Sequence, residues 1–292
     1  MSKYYCLIAG LPNIALDDSK LAYTVSGFRE ELDGILTSKD RRLIDLFFLK
    51  FDNANLIQFL KTPDAEPDGR GTISVSDYRA ALRALRDEEA IPKATIKRLP
   101  AYVVDFLKLY LQSEEKGEAM ENVSWNDRLA AFYYAYAMKC GNRFVADWYE
   151  LNLNMNNMLA AITCRKHGLD KSGYIVGENE VANALRTSNA RDFGLGDTVE
   201  YLPDLQRIAE ETDLMAREKK IDLLKWGWLE ENTFFKTFDI ESVFAYMLKL
   251  EMIERWVTLD KTTGEKTFRE IVGAMKKGSE NALDEFKRNN EK

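Results

Sequence analysis

The sequence predicts an all-α protein built from three pseudo-repeated helical lobes that form a funnel-like array of many helices. Apolar residues recur at three- and four-residue spacing along most of the 292 residues, which is the period of the α-helix. The alternating runs that are typical of half-buried strands are scarce. In addition, a stretch of helical pattern that begins at Arg41 occurs again, without a gap, from Arg143.

The repeated stretch carries a motif that we call the lobe motif: an apolar residue, Asp or Asn, two free positions, Asn, and an apolar run. Its polar positions are Asp52 and Asn55 in the first copy, Asn154 and Asn157 in the second, and Glu251 and Glu254 in a shortened third copy. The identities between the first two copies pair Arg41 with Arg143, Asp45 with Asp147, Leu49 with Leu151, Asn55 with Asn157, Asp68 with Asp170, Gly71 with Gly173 and Ile73 with Ile175.

The asparagines of the motif lie inside predicted helices, where Asn has a poor intrinsic propensity. One hypothesis is that Asn55 and Asn157 bind the backbone or a neighbouring helix at a tight packing point. The alternative is that each is a solvated side chain at the edge of its helix.

The first lobe is expected to cover residues 1–120. Residues 3–11 are apolar and aromatic and read as a strand or an extended lead-in. The pattern then predicts helices over 21–36, 41–62, 78–85 and 100–111. The second of these should end near Thr62, because the residue before a proline is pushed out of the helical region. The charged stretch 114–121 is the best candidate for a linker.

The second lobe is expected over residues 121–200, and the third over 201–292. In the second, Ser124 should cap one helix and Gly168 should end the long helix from Arg143. A shorter helix follows over 178–186, and then a polar loop over 187–198. The third lobe is predicted to contain helical stretches over 202–238, interrupted or kinked at Gly227, over 240–256 and, after a turn at 261–264, over 268–275.

The amino-acid composition argues against several classes of function. The formal net charge of −7 argues against a general binder of nucleic acid or anionic membranes. Cys6, Cys140 and Cys164 are far apart and odd in number, which indicates a reducing cytoplasm and no disulfide framework. No apolar run approaches the ~20 residues that are needed to span a bilayer.

The chain shows no sequence motif of a known catalytic or metal site. His167 is the single histidine, so a histidine-based triad or a site with several histidine ligands within the chain is excluded. The stretch from Glu66 to Asp77 resembles a calcium loop, but Arg70 stands at a ligand position. We therefore predict no catalytic residue, no cofactor and no metal. Trp226 and Trp228, with Lys225 beside them, are compatible with a binding site, although packing between helices is the favoured interpretation.

The lobe motif resembles a phrase that recurs in the C subunit of V-type ATPases, which is called subunit d in eukaryotes. The run FDNANL from Phe51, the run LNMNNM from Leu153 and the stretch around Glu251 carry the resemblance. The opening YYCLIAGLP looks more like uncharacterised bacterial proteins encoded among V-type ATPase genes, which suggests a divergent bacterial version of the C subunit.

This resemblance implies an all-helical, non-catalytic adaptor at the cytoplasmic face of the cell membrane. Such an adaptor couples the central stalk, formed by subunits D and F, to the membrane rotor ring of subunit K during ion transport. Two alternatives remain open from the residues alone. One is a generic helical scaffold that binds other proteins, and the other is a helical enzyme with a carboxylate site that no motif reveals.

Overall fold

The computed structural model describes residues 4–117 and 124–259. All regular elements in these two ranges are helical, so the prediction of an all-α fold is confirmed. The helices, in order, are α1 (Tyr5–Gly10), α2 (Val25–Glu31), α3 (Ser38–Lys61), α4 (Val75–Arg86), α5 (Lys93–Ile96), α6 (Ala101–Glu115), α7 (Trp125–Ala137), α8 (Arg143–His167), α9 (Glu180–Thr187), α10 (Leu202–Ala209), α11 (Leu214–Thr233) and α12 (Ile240–Thr258). Within the same ranges, none of these helices is long and apolar enough to cross a bilayer.

The long helix α3 forms where the repeat predicts it. Thr37 caps its start, since the hydroxyl oxygen accepts a hydrogen bond from the backbone N–H of Asp40 at 3.2 Å. The helix ends at Lys61, immediately before the sequence Thr62-Pro63. Buried residues occur on most of its circumference, because α3 packs against α4, α7 and α12 on different sides.

The second long helix, α8, also begins and ends at predicted signals. Asn142 caps its start by accepting from the N–H of Val145 at 3.1 Å. Gly168 follows its last residue in the left-handed conformation, with φ of 67°, and the N–H of Leu169 then donates to the carbonyl of Cys164 at 2.9 Å. This is the glycine stop that the sequence predicts.

Helix α12, the last helix in the described residues, packs against the segment that begins at Tyr4. The N–H of Tyr4 donates to the carbonyl of Phe238 at 3.3 Å, and the hydroxyl of Tyr246 donates to the carbonyl of Pro12 at 3.1 Å. The rings of Phe28 and Tyr246 lie 5.1 Å apart. The segment before α3 is therefore held against α12.

Three local predictions need correction. The apolar lead-in at 3–11 is neither a strand nor extended where it is described: it forms the short helix α1. In the described residues there is no strand for it to pair with, and a helix satisfies its own backbone groups. The region 202–238 breaks between α10 and α11, because Asp213 caps a new helix by accepting from the N–H groups of Met215 at 2.8 Å and Ala216 at 3.0 Å. Gly227 lies inside α11 without a break.

Helix α6 continues to Glu115, so the predicted linker starts inside a helix. The rest of that stretch beyond residue 117, the turn at 261–264 and the helix at 268–275 lie outside the described residues.

The apolar core is continuous along the chain. One cluster of buried side chains extends from Tyr4 to Ile253 and includes residues of every long helix. Across the expected boundary near residue 120, the hydroxyl of Tyr133 in α7 donates to the carbonyl of Leu46 in α3 at 2.9 Å. The division into three lobes and the funnel shape stay predictions, and the core does not separate at the expected boundaries.

Candidate functional site

Of the three helices that carry the lobe motif, α12 packs on both α3 and α8. Polar motif positions are buried or half-buried in a molecule whose other buried side chains are mostly apolar. Their contacts define what the motif does in each copy.

In the first copy the motif fastens the loop that follows α3. The side chain of Asn55 donates to the carbonyl of Asp68 at 3.0 Å and accepts from the N–H of the same residue at 2.7 Å. The carboxylate of Asp52 accepts from the N–H groups of Thr72 at 2.7 Å and Ile73 at 2.8 Å, and from the Thr72 hydroxyl at 2.8 Å. Burial raises the pKa of Asp52, and these hydrogen bonds act against the rise.

Gly71 is needed for this arrangement. A Cβ atom at this position would lie 2.6 Å from Nδ2 of Asn55 and 2.8 Å from Oδ1 of Asp52. In the same loop, Arg70 forms an ion pair with Asp68 at 2.6 Å. In the stretch that resembles a calcium loop, this carboxylate is therefore paired with an arginine. No group of three or more His, Cys, Asp or Glu side chains is placed to hold a metal ion in the part of the chain that the structure describes.

In the second copy the asparagine makes the same pair of hydrogen bonds, but with a residue at a different separation along the sequence. Asn157 donates to the carbonyl of Val176 at 2.7 Å and accepts from its N–H at 2.8 Å. Asn154 accepts from the side chain of Asn179 at 2.8 Å, and Asn179 in turn caps α9. Asn55 and Asn157 thus bind the backbone of the following loop, as the first of the two hypotheses states.

The ungapped alignment of the two copies fails beyond the helices. It pairs Gly71 with Gly173, but a Cβ at Gly173 would meet nothing within 4 Å. The close approach occurs instead at Gly177, where φ is 79° and a Cβ would lie 3.2 Å from Leu153. The partner of Asn157 lies 19 residues further along the chain, against 13 for Asn55. Helix α8 continues to His167, beyond Thr163, which the alignment pairs with the end of α3 at Lys61, and the left-handed Gly168 and a 3₁₀ turn at Ser172–Tyr174 follow before the backbone reaches Asn157.

In the third copy the partner comes from the other end of the chain. Glu254 accepts from the N–H of Val25 at 3.2 Å, at the first residue of α2. A carboxylate at this place satisfies an otherwise free N–H and interacts favourably with the helix dipole. Glu251 points elsewhere and pairs with Lys50 of α3 at 2.8 Å.

A pocket of about 170 Å³ lies where α3, α7, α8, α11 and α12 meet, and we call it the junction pocket. Its charged side chains come from three of these helices. They are Lys50, Asp222, Lys225, Glu251 and Arg255. The remaining lining residues are Phe47, Tyr133, Tyr134, Trp148, Tyr149, Asn152, Leu248 and Met252.

Two ion pairs account for both carboxylates of the junction pocket. Glu251 pairs with Lys50, whose ammonium also lies 4.1 Å from the centre of the Phe47 ring. Asp222, which is 2% exposed, pairs with Arg255 and accepts from Nε1 of Trp256 at 2.7 Å. Burial lowers the pKa of Lys50, and the adjacent Glu251 acts against the decrease.

The two tryptophans close to Lys225 in sequence are packing residues. Trp226 is buried and donates to Glu230 at 2.7 Å. Trp228 stacks on Phe144 with ring centres 5.4 Å apart. Packing between helices is therefore the correct interpretation of the tryptophans, while Lys225 lines the junction pocket, which the sequence pattern does not show.

A second feature lies on the surface, at the turn between α11 and α12. Phe234 is 73% exposed and Phe235 is 92% exposed, and their rings contact each other edge to face at 4.9 Å. We call this pair the aromatic tip. In the sequence the two phenylalanines fall inside the long helical stretch predicted over 202–238, so the pattern does not reveal that they are exposed.

An apolar groove of about 1200 Å³ includes Phe238, which belongs to the same connection between α11 and α12. It is lined by residues of α1, by Tyr23 and Ile35, and by Phe238, which follows the aromatic tip in sequence. The exposed Tyr5 packs on Phe238 with ring centres 4.7 Å apart.

Comparison with known proteins gives one assignment. The family model described as "Protein of unknown function (DUF2764)" matches residues 1–279. No curated protein and no solved structure matches the chain. The expected membership in the family of V-type ATPase C subunits is wrong, because the chain matches this other family model and none for those subunits. The lobe motif explains the error, since a polar side chain that fastens the loop after a helix serves any helical fold. The chain belongs to the DUF2764 family, as the match over nearly its whole length shows.

Proposed function

We propose that this protein is a non-catalytic helical adaptor, which works by holding other proteins together. The observation that carries the proposal is the aromatic tip. Large aromatic side chains are enriched at the centres of protein–protein interfaces, where a few of them supply much of the binding energy. Covering one exposed phenylalanine stabilises a complex by roughly 1.5–3 kcal/mol, so two adjacent rings are a strong anchor.

The turn that carries the aromatic tip is held by hydrogen bonds on both sides. The N–H of Lys236 donates to the carbonyl of Thr233 at 2.8 Å, and the hydroxyl of Thr233 donates to the carbonyl of Leu229 at 2.6 Å. The hydroxyl of Ser242 donates to the carbonyl of Lys236. A partner that covers the two rings therefore meets a turn that is already ordered, which reduces the entropy lost on binding.

The first partners to test are those expected from the sequence: the central stalk subunits D and F and the rotor ring subunit K of a V-type ATPase. The protein would then lie on the cytoplasmic side, at the inner face of the cell membrane, and the other subunits would hold it there. This role does not require membership in the family of C subunits, because an unrelated helical protein can occupy the same position. A scaffold for other proteins is the second candidate function, and the aromatic tip supports it equally.

The test is copurification from detergent-solubilised membranes of the native host, with the tagged full-length chain as bait. The double variant Phe234→Ala, Phe235→Ala removes the aromatic tip from exposed positions and should leave the fold intact. Tyr174→Ala, at a tyrosine that is 54% exposed elsewhere on the surface, is the matched control. We expect the wild type and the control to retain stalk and ring subunits, and the double variant to lose them.

Two results would contradict the adaptor proposal. One is a double variant that retains the same partners as the wild type, and the other is a wild-type bait that retains no protein specifically. Specific partners that are not ATPase subunits, and that the double variant loses, would support the scaffold instead. Turnover of a common metabolite by the purified chain would contradict the non-catalytic role.

A further inference from the structure

We infer that the junction pocket binds a small oxyanion of the size of phosphate, held by Lys225 together with Arg255. This inference concerns the junction of the helices and does not depend on the adaptor function or on the aromatic tip.

The charged side chains that line the junction pocket do not balance. Three cationic side chains line the junction pocket, whereas only Asp222 and Glu251 are anionic. Each carboxylate already has a partner, in Arg255 and Lys50 respectively. Lys225 has no carboxylate within 4 Å in residues 4–117 and 124–259, so the pocket carries one positive charge that the protein does not neutralise there.

The positive charge of Lys225 lies in a half-buried position. Lys225 is half-buried among the aromatic side chains of Tyr134, Trp148 and Tyr149, which line the same pocket. Burial lowers the pKa of Lys225, Asp222 acts against the decrease, and Arg255 adds to it. A half-buried ammonium without a close counter-charge is unfavourable, and a bound anion removes this cost.

The junction pocket has the volume and the hydrogen-bond donors that a small oxyanion requires. A volume of about 170 Å³ corresponds to roughly five or six water molecules at ~30 Å³ each, which is enough for a tetrahedral oxyanion with some water. The guanidinium of Arg255 has five N–H donors, and its contact with Asp222 leaves several of them available. An ammonium and a guanidinium side by side favour an anion with several oxygens over a monatomic ion.

The experiment is calorimetric titration of the full chain with inorganic phosphate, at constant ionic strength in a chloride buffer. We expect saturable binding at one site. Lys225→Gln should weaken it by roughly tenfold or more, because a charge-assisted contact is lost. The control Lys108→Gln, at an exposed lysine of α6 whose side chain is 55% exposed, should bind like the wild type. A parallel titration with glycerol 3-phosphate separates a free ion from a phosphate ester as the source, and binding of either supports the inference.

Absence of saturable binding by the wild type, or equal binding by Lys225→Gln, would overturn the inference. Circular dichroism checks that the variant is folded. A second measurement needs no variant: the side-chain nitrogen resonance of Lys225 in the wild type should shift when phosphate is added, and a resonance that does not move would also overturn it.

Discussion

At the scale of single residues, the asparagines of the lobe motif act through carboxamide groups that form hydrogen bonds with the backbone. Asn55 and Asn157 each match both the N–H and the C=O of one loop residue, so each fixes the path of the chain after its helix. A carboxamide suits this task, because it offers a donor and an acceptor side by side.

Replacing the motif asparagines should destabilise the protein. Asn55→Ala and Asn157→Ala each remove two hydrogen bonds and leave part-buried backbone groups without a partner, so we expect each to lower the free energy of unfolding by about 1–3 kcal/mol. Urea unfolding measures the change. Asn232→Ala, at an exposed position, is the control and should change stability by less than ~0.5 kcal/mol. A loss below that value for Asn55→Ala would favour a solvated asparagine.

The glycines of the two copies should differ in their tolerance to alanine. In Gly71→Ala the new methyl group would collide with Asn55 and Asp52, so we expect a loss of about 1–3 kcal/mol. In Gly173→Ala the methyl group meets nothing within 4 Å, and the stability should change little. Thermal unfolding of the two variants checks this. Equal losses would mean that the ungapped pairing of the copies is structurally correct.

The sequence therefore predicts the positions of residues within the helices, but not the contacts that these residues make in the loops. The positions of Asn55 and Asn157 follow from the helical register of α3 and α8. The loop partner of Asn157 does not, because α8 extends to His167, beyond the position that pairs with the end of α3, and this shifts the loop in a way that an ungapped pairing cannot represent. In the sequence, Lys225 stands out only for its position beside Trp226. Its place in a pocket depends on contacts between five helices.

At the scale of elements, the start of α4 is joined to the turn after α5 by an ion pair. Asp77 lies in the first turn of α4 and is 4% exposed. Arg98 donates to its carboxylate through Nε at 2.9 Å and through a second nitrogen at 2.6 Å. These hydrogen bonds from Arg98 hold the pKa of Asp77 below its ordinary value.

This pair should make stability depend on pH. Because the pKa of Asp77 is lower in the folded state than in the unfolded state, its contribution is fully present above about pH 4 and is lost as the pH falls through the folded-state pKa. Arg98→Gln should therefore be less stable than the wild type at neutral pH, and the difference should be smaller at about pH 3, below the ordinary pKa of an aspartate. Urea unfolding at both pH values measures it.

The control for this pH dependence is Arg83→Gln. Arg83 is 85% exposed in its side chain and reaches Asp87 only at 3.6 Å. Its difference from the wild type should be small at both pH values. If Arg98→Gln kept its deficit in acid, the loss would have to come from packing of the arginine and not from the ion pair.

Among the elements, the long helices are the easiest to predict. α3, α8 and α12 have sustained apolar periodicity, and α3 and α8 have explicit stop signals at Pro63 and Gly168. The break between α10 and α11 lies near Asp213 and not at Gly227. The prediction missed it because an aspartate that caps a helix is a weaker signal in the sequence than a glycine. α1 escapes prediction because six residues are too short to show a helical period.

At the scale of the whole molecule, the continuous core joins the N-terminal segment to α12. Phe28 is fully buried and packs on Tyr246. The contact between Glu254 and Val25 fixes the same pair of helices at a separation of 229 residues, which no local pattern in the sequence can reveal. The sequence therefore places Glu254 in a helix, while its partner could not be named.

Removing the Phe28 ring should loosen both helices at once. Phe28→Ala leaves a cavity between α2 and α12, and we expect a loss of about 3–5 kcal/mol in the free energy of unfolding. Hydrogen exchange should show faster exchange in α2 and α12 together, with α6 less affected. Phe235→Ala, at a ring that is 92% exposed, is the control and should leave both quantities nearly unchanged. Faster exchange in α2 alone would contradict the coupling.

The contact between Val25 and Glu254 also has a consequence during translation. The glutamate is made 229 residues after the valine, which at roughly 5–20 residues per second corresponds to a delay of roughly 10–45 seconds. Throughout that interval the buried side of α2, with Val25 and Phe28, lacks its contacts with α12. The contacts of α2 are therefore complete only after α12 has emerged from the ribosome.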